Sequence, residues 1–312
     1  MKVLKLFVTV LMWVSLTFFL VSTDHYYIDL LQSFTFHALL GYLMLTGLFA
    51  LFRWRMLAAS GLAISFLLAV HLLPHLNNGI SGDYKLYGHS FRVAHFNVLA
   101  TNTSYEKSIQ DAKDTDADLI SFQEVNMDWI NELIKQLEVD YPYYAFVDGQ
   151  LHGVAVFSRY PLDNMESYYW AEEPTLTGNV LVEGHKVHLI TTHTLSPRSP
   201  ERSRKRDQHL EGIAKYVKSI DGPVLAIGDF NTVPWSRQIV GVKEVANLKD
   251  SRKSLAPTFP SAYSLGIPID YILHSDEIHC LRFDSVDTSG SDHKGIIGEY
   301  TISATGGQYD TI

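Results

Sequence analysis

Almost no charge falls in the first eighty residues of this 312-residue chain, and that restricts its fold more than any motif further on. Up to Ile80 the only basic residues are Lys2, Lys5, Arg53 and Arg55, and the only acidic ones are Asp24 and Asp29. Three apolar stretches lie here, over 6–22, 34–52 and 56–73. Each is close to the ~20 residues that a helix needs to cross a hydrocarbon core ~30 Å thick. Buried core helices are the alternative, but three in succession with almost no charge argue against it. A signal peptide would explain only the first stretch, and Val21-Ser-Thr-Asp24 is a poor small-x-small cleavage site. The reading is a multi-pass membrane anchor over residues 1–76, with three spans.

Basic residues near span ends mark the cytoplasmic side. Lys2 and Lys5 precede the first span, Arg53 and Arg55 separate the second from the third, and no Lys or Arg follows until Lys85. This pattern places the N-terminus inside and the bulk of the chain outside the cytoplasmic membrane. His25, His37, His71 and His75 lie in or beside the spans, where a locally satisfied or interfacial ring is the commoner state.

Beyond Asp83 the composition becomes that of a water-soluble domain. Residues 77–90, with Gly79, Gly82 and Gly88, read as a linker, 91–303 as one domain and 304–312 as a tail. After the first eighty residues the chain carries 21 basic and 32 acidic residues, a formal charge of −11. Such a field disfavours wrapping nucleic acid, which calls for a basic footprint. It suits a domain that gathers carboxylates around a divalent cation. The single Cys280 excludes an intrachain disulfide and reads as a small buried apolar residue.

Periodicity predicts strands at 92–98, 118–122, 143–147, 154–157, 269–273, 278–283 and 296–302, and a hairpin of 179–182 with 185–192 around Glu183-Gly184. Helices are expected over 104–113, over 127–137 and from a Ser199 N-cap with Pro200 at the first helical position to about Ser219. Strands alternating with helices, with a hairpin among them, imply a mixed α/β or α+β sandwich.

Polar residues recur where these strands end. The run Val224–Ile227 is a buried strand in composition, Gly228 ends it, and Asp229 and Asn231 follow. Taken alone this is equally a strand followed by an Asx-type turn. But Asn97, Glu124 and His193 also end strands, Asp270 lies in Pro268-Ile-Asp-Tyr-Ile272, and Asp292-His293 precede the last strand. A lone Glu or His in such a place is usually just solvated. Together they supply hard oxygen ligands, two imidazoles and amides, an inventory suited to metal-assisted attack on phosphorus.

The order of Asn97-Val-Leu, Gln123-Glu124, Gly228-Asp-Phe-Asn231, Ile269-Asp-Tyr271 and Ser291-Asp-His293 resembles the endonuclease/exonuclease/phosphatase superfamily, the metal-dependent phosphoesterases related to DNase I. The resemblance runs over roughly 91–301. It implies an α+β fold, a four-layer α/β/β/α sandwich. It also implies Glu124 as the principal ligand of Mg2+ or Mn2+, with Asn97 and Asp292 beside it. His293, oriented by Asp270, would activate water or donate to the phosphate, and Asp229 competes for the role of base. Asn231 would donate to a non-bridging oxygen, and His193 would stabilise the phosphate or protonate the leaving oxygen.

The run Arg198, Arg202, Arg204, Lys205, Arg206 offers an anion-binding surface or a solvated helix face. The expected function is therefore a membrane-anchored, divalent-metal-dependent phosphoesterase acting outside the cytoplasm. Its substrate would be a phospholipid or prenyl pyrophosphate, or extracytoplasmic DNA or RNA. A non-catalytic binding module would have lost the metal ligands or the His–Asp pair, and both are present.

Overall fold

The computed structural model describes residues 2–76 and 90–303, so residues 77–89 of the expected linker and the expected tail lie outside the described residues. The chain divides into two compact units. The first takes in the N-terminal helices together with Thr232–Arg237. Its helices are α1 (Lys2–Leu20), α2 (Tyr26–Gln32), α3 (Thr35–Leu51) and α4 (Arg55–Leu72), the last followed by a 3-10 turn, Leu73–His75. Helix α1, and α4 with that turn, are long and apolar enough to cross a membrane. Helices α2 and α3, bent by 64° at their junction, make a third candidate if taken as one span. The short α2 has no counterpart in the sequence reading, because a seven-residue helix leaves too brief a periodic signal. Met12, Leu16, Phe49, Leu57, Ile64 and Leu68 form this unit's own core.

The second unit holds two six-stranded sheets. The first sheet is built from β1 (Phe91–Asn97), β2 (Leu119–Gln123), β3 (Tyr143–Val147), β4 (Val154–Ser158), β11 (Ile278–Val286) and β12 (Gly295–Ile302), in the order β11-β12-β1-β2-β4-β3. The second is built from β5 (Leu162–Trp170), β6 (Glu173–Val182), β7 (His185–His193), β8 (Val224–Asp229), β9 (Lys249–Asp250) and β10 (Asp270–His274), in the order β5-β6-β7-β8-β10-β9. Helices α5 (Tyr105–Asp114) and α6 (Met127–Leu137) accompany the first sheet, and α7 (Pro200–Lys218) and α8 (Arg237–Ala246) the second. This is the four-layer α+β sandwich that the motif order implies.

Period-two alternation assigns each strand residue to one of two cores. On β1, Phe91 and Val93 enter the core between the sheets, whereas Ala94 and Phe96 pack on the helix side with Ile109, Trp129 and Leu133. On β8, Leu225 and Ile227 face the other sheet, while Val224 and Ala226 meet Leu210 and Ile213 of α7. Both α6 and α7 begin as capped helices: Asn126 Oδ1 accepts from the Trp129 N–H at 3.0 Å, and Ser199 Oγ from the Arg202 N–H at 3.2 Å. Cys280 is buried, and burial pushes its thiol up to about 11, so it is chemically quiet.

Strand β5 and helix α8 were not foreseen. The run Leu-Asp-Asn-Met-Glu-Ser-Tyr-Tyr-Trp of β5 is a largely exposed edge with a bulge between Asp163 and Glu166, so no apolar alternation marks it. Strand β6 begins six residues before its expected start, since Pro174 and Gly178 read as turn formers.

His209 of α7 is buried and stays neutral. Its Nε2 lies 2.8 Å from Thr175 Oγ1 and 3.0 Å from Thr192 Oγ1, and Nδ1 is buried with no hydrogen-bond partner among the described residues. Burial, then the nearby His193, lowers its pKa to about 3. The unfolded chain, with a pKa of ~6.5, takes up a proton that the folded chain refuses. The stability tied to the neutral ring is fully present above pH ~6.5 and is lost as the pH falls through the acid range. We expect His209→Gln to make the acid limb of the urea-midpoint profile shallower between pH ~6 and ~4. An unchanged limb would refute that role.

Candidate active site

At one end of the sandwich the residues that face the other sheet change from apolar to polar. After Phe91 and Val93 the same face of β1 carries His95 and Asn97, and β2 continues from Leu119 to Ser121 and Gln123. On β7 the series Val187, Leu189 runs on to Thr191 and His193, and on β8 Leu225, Ile227 runs on to Asp229. Register then sets these residues side by side. Asn97 pairs with Gln123, His193 with Asp229, and Asp229 with Asp270.

Hydrogen bonds tie the two sheets together here. The Asp229 N–H donates to Gln123 Oε1 at 2.6 Å, and Asn97 Nδ2 donates to Asp229 Oδ2 at 3.2 Å and to Glu124 Oε1 at 3.0 Å. Asp270 is held from both sides, with His95 Nε2 2.9 Å from Oδ1 and His293 Nδ1 3.0 Å from Oδ2. The last loop is fixed by Ser291, whose Oγ donates to the Asn97 carbonyl at 2.7 Å and accepts from the His293 N–H at 3.0 Å. Three non-glycine residues that line the pocket here sit in the left-handed region, Leu99 at φ 62°, Glu124 at φ 58° and Asn231 at φ 48°. Such conformations cost energy and gather at functional sites.

The electrostatics follow from burial. Burial, and then the Asp270 carboxylate, push Asp229 well above the usual carboxylate range. For His293 burial works against the charge, but Asp270 and Asp229 outweigh it and raise the imidazole to about 10. Burial would also raise Asp270, yet His293 and His95 overcome it and hold the carboxylate well below its ordinary value. His193 is pushed far down, first by burial and then by His152 and His293. The pair at the centre is thus an ionised Asp270 on a cationic His293, beside a neutral His193.

Six of the eight residues singled out from the sequence, namely Glu124, His193, Asp229, Asn231, Asp292 and His293, line one pocket of about 260 Å³. Asn97 and Asp270 are bonded to these residues from behind. A larger cavity, about 350 Å³, is lined by Arg92, Arg282 and Glu299 and contains none of the eight. Asn231 Nδ2 donates to the Thr194 carbonyl at 2.8 Å and lies 3.2 Å from His193 Nε2, so its amide is already oriented.

Asp229, Asp270 and His293 bring ligand-type atoms within 4.8 Å of one another. Both Asp270 oxygens are engaged by imidazoles, however, so Asp270 and His293 form a hydrogen-bonded acid–imidazole pair, with His293 Nε2 3.7 Å from Asp229 Oδ2. The carboxylates open to the pocket are Glu124, 22% exposed at its side chain, and the exposed Asp292. With Asn97 behind Glu124 they form a set of hard, solvent-accessible oxygens. Such a set fits a divalent ion that keeps several waters.

The basic run divides. Arg198 and Arg202 line the pocket, whereas Lys205 pairs with Glu172 and the buried Arg206 pairs with Asp207 and donates to the Asn231 carbonyl at 3.2 Å. Two partners went unrecognised in the sequence. His95 carries Asp270, and the ring of His152 stacks on His193 at 5.2 Å between centroids. His95 shares the parity of Asn97 and was legible on that ground. His152 stands in a loop with no such signal.

Among curated proteins none matches this chain significantly. Solved structures are similar in fold. An endonuclease/exonuclease/phosphatase from Beutenbergia cavernae is 19% identical, covering 69% of this chain and 72% of that one, with a TM-score of 0.58. TDP2 of D. rerio, complexed with a single-strand DNA product, is 17% identical over 69% of this chain and all of its own, at a TM-score of 0.58. Sphingomyelinase C from Streptomyces griseocarneus is 16% identical over 68% and 99%, at 0.52. The profile of the Endonuclease/Exonuclease/phosphatase family matches residues 94–293, from the first polar-ended strand to the last histidine of the pocket. By that match and by the site just described, the chain belongs to the Endonuclease/Exonuclease/phosphatase family and with it to the phosphoester hydrolases.

Proposed function

We propose that this protein is a membrane-anchored, divalent-metal-dependent phosphoesterase whose catalytic domain faces away from the cytoplasm. The observation that carries the reading is a single pocket lined by the open carboxylates Glu124 and Asp292 and by His293, which the buried Asp270 holds from behind. Glu124, Asn97 and Asp292 are the residues that would hold Mg2+ or Mn2+. Such an ion, when bound, polarises a phosphoryl oxygen and offsets its developing charge. His293, cationic and aimed by Asp270, donates to the phosphate. Asp229, whose carboxylate burial and then Asp270 make more basic, takes the proton of the attacking water. Asn231 and the neutral His193 flank the phosphate, the amide as a donor to a non-bridging oxygen and the imidazole as a polar group that stabilises it.

The anchor reading rests on the apolar α1, α3 and α4, and on Lys2, Lys5, Arg53 and Arg55 at what would be cytoplasmic ends. A formal charge of −11 beyond residue 80 favours a lipid-linked or small phosphate over a polynucleotide. DNA or RNA is the second reading, supported by the fold shared with TDP2.

One experiment tests the whole. Spheroplasts expressing the full chain are offered a membrane-impermeant activated phosphodiester with Mg2+. Hydrolysis is expected without lysis, lost on adding EDTA and restored by Mg2+ or Mn2+. Hydrolysis that needs lysis would overturn the orientation, and hydrolysis that ignores EDTA would overturn the metal.

A further inference from the structure

The pocket has a second wall to which the mechanism above gives no role. Arg198, on the loop between β7 and α7, and Arg202, in the first turn of α7, both line it. The Arg202 Nε–H donates to the Ser196 carbonyl at 3.0 Å, which fixes the base of its guanidinium and leaves the terminal nitrogens without a hydrogen-bond partner among the described residues. The Arg198 side chain forms no hydrogen bond or ion pair with any described residue. Two guanidinium groups thus stand open in a concavity of a domain that is otherwise acidic. A phosphate under attack already has Asn231, His193 and His293. Guanidinium pairs match phosphate oxygens in geometry as well as charge. Apolar side chains, Leu99, Leu151, Phe259 and Ile269, line the same pocket alongside the polar Thr101, His152 and Ser196, and Leu151 is 55% exposed.

We propose that Arg198 and Arg202 form a subsite for a second phosphate bonded directly to the one attacked, so that the preferred substrate is a diphosphate ester of an apolar alcohol. This rests on the phosphoesterase reading above. The water oxygen bonds to the terminal phosphorus while the bond from that phosphorus to the bridging oxygen breaks. The electron pair leaves on the bridging oxygen, which stays with the phosphate still esterified to the alcohol, and the two arginines hold the charge that gathers there. One water proton remains on the released inorganic phosphate and the other passes to Asp229. A polynucleotide fits this wall less well, because a sugar separates its phosphates.

The test uses the full-length protein in detergent with Mg2+, and kcat/KM for farnesyl diphosphate, farnesyl monophosphate, adenosine diphosphate and a short oligonucleotide. Farnesyl diphosphate is expected to exceed the monophosphate by at least about tenfold, and Arg198→Ala with Arg202→Ala to erase that ratio. Lysine at both positions should restore part of it. Equal losses on both esters, or faster cleavage of the oligonucleotide, would overturn the subsite. Adenosine diphosphate turned over as well as farnesyl diphosphate would overturn the apolar alcohol. Calorimetric titration with inorganic pyrophosphate in EDTA reads the subsite without catalysis, and affinity indifferent to the double substitution would sink it. Absent hydrolysis of every ester, with pyrophosphate binding still dependent on the arginines, would instead refute the phosphoesterase reading.

Discussion

Gly228→Ala is expected to leave little folded protein. Gly228 has φ 154°, and a Cβ there would lie 1.9 Å from the Thr192 carbonyl oxygen and 2.8 Å from Gln123 Nε2. Neither neighbour can yield. Thr192 is the register partner of Gly228 in the parallel β7–β8 pair, and Gln123 accepts the Asp229 N–H through its other amide atom at 2.6 Å. We expect a loss of ~4 kcal/mol or more, a large share of the ~5–15 kcal/mol that keeps a domain folded. Gly241→Ala is the control, since nothing lies within 4 Å of a Cβ there and the residue is helical. That change should be neutral or stabilising by ~0.5–1 kcal/mol. Denaturant midpoints of the two variants decide the matter, and a Gly228→Ala midpoint equal to the wild type would refute the steric argument.

Glu124→Gln should have the largest effect on turnover. The substitution keeps shape and leaves an oxygen for the Asn97 Nδ2 bond, now 3.0 Å long, but removes the charge that a divalent cation needs. We expect kcat to fall by about 10³ or more, ~4 kcal/mol of transition-state stabilisation, with an unchanged circular dichroism spectrum. Calorimetry should show weakened Mg2+ or Mn2+ binding in step. Retained turnover with intact metal binding would remove Glu124 from the centre of the site.

Much of this was readable beforehand because the sequence writes the sandwich in a period of two. Val224 to Ile227 reads as buried from composition alone, and extending the inward-facing set by one step lands on Asp229. The same extension on β1 reaches His95, whose place beside Asp270 depends on a partner 175 residues away and is invisible locally. Edge strand β5 escaped because exposure erases the apolar alternation on which strand recognition depends. Arg206 illustrates the opposite error. It belongs to a basic run, yet burial and Asp207 make it a brace for the Asn231 carbonyl, and no count of charges along the chain separates it from Arg202.

The ties Gln123–Asp229, Asn97–Asp229 and His95–Asp270 each join residues of different sheets. Neither sheet by itself contains a working arrangement. The chemistry therefore exists only when the two halves have docked in the right relative position, and an apolar interlayer alone, being non-directional, would tolerate a slip. These polar ties work as a key cut across the seam. Catalytic competence and correct assembly become the same event, so that a misassembled domain is silent rather than indiscriminately hydrolytic.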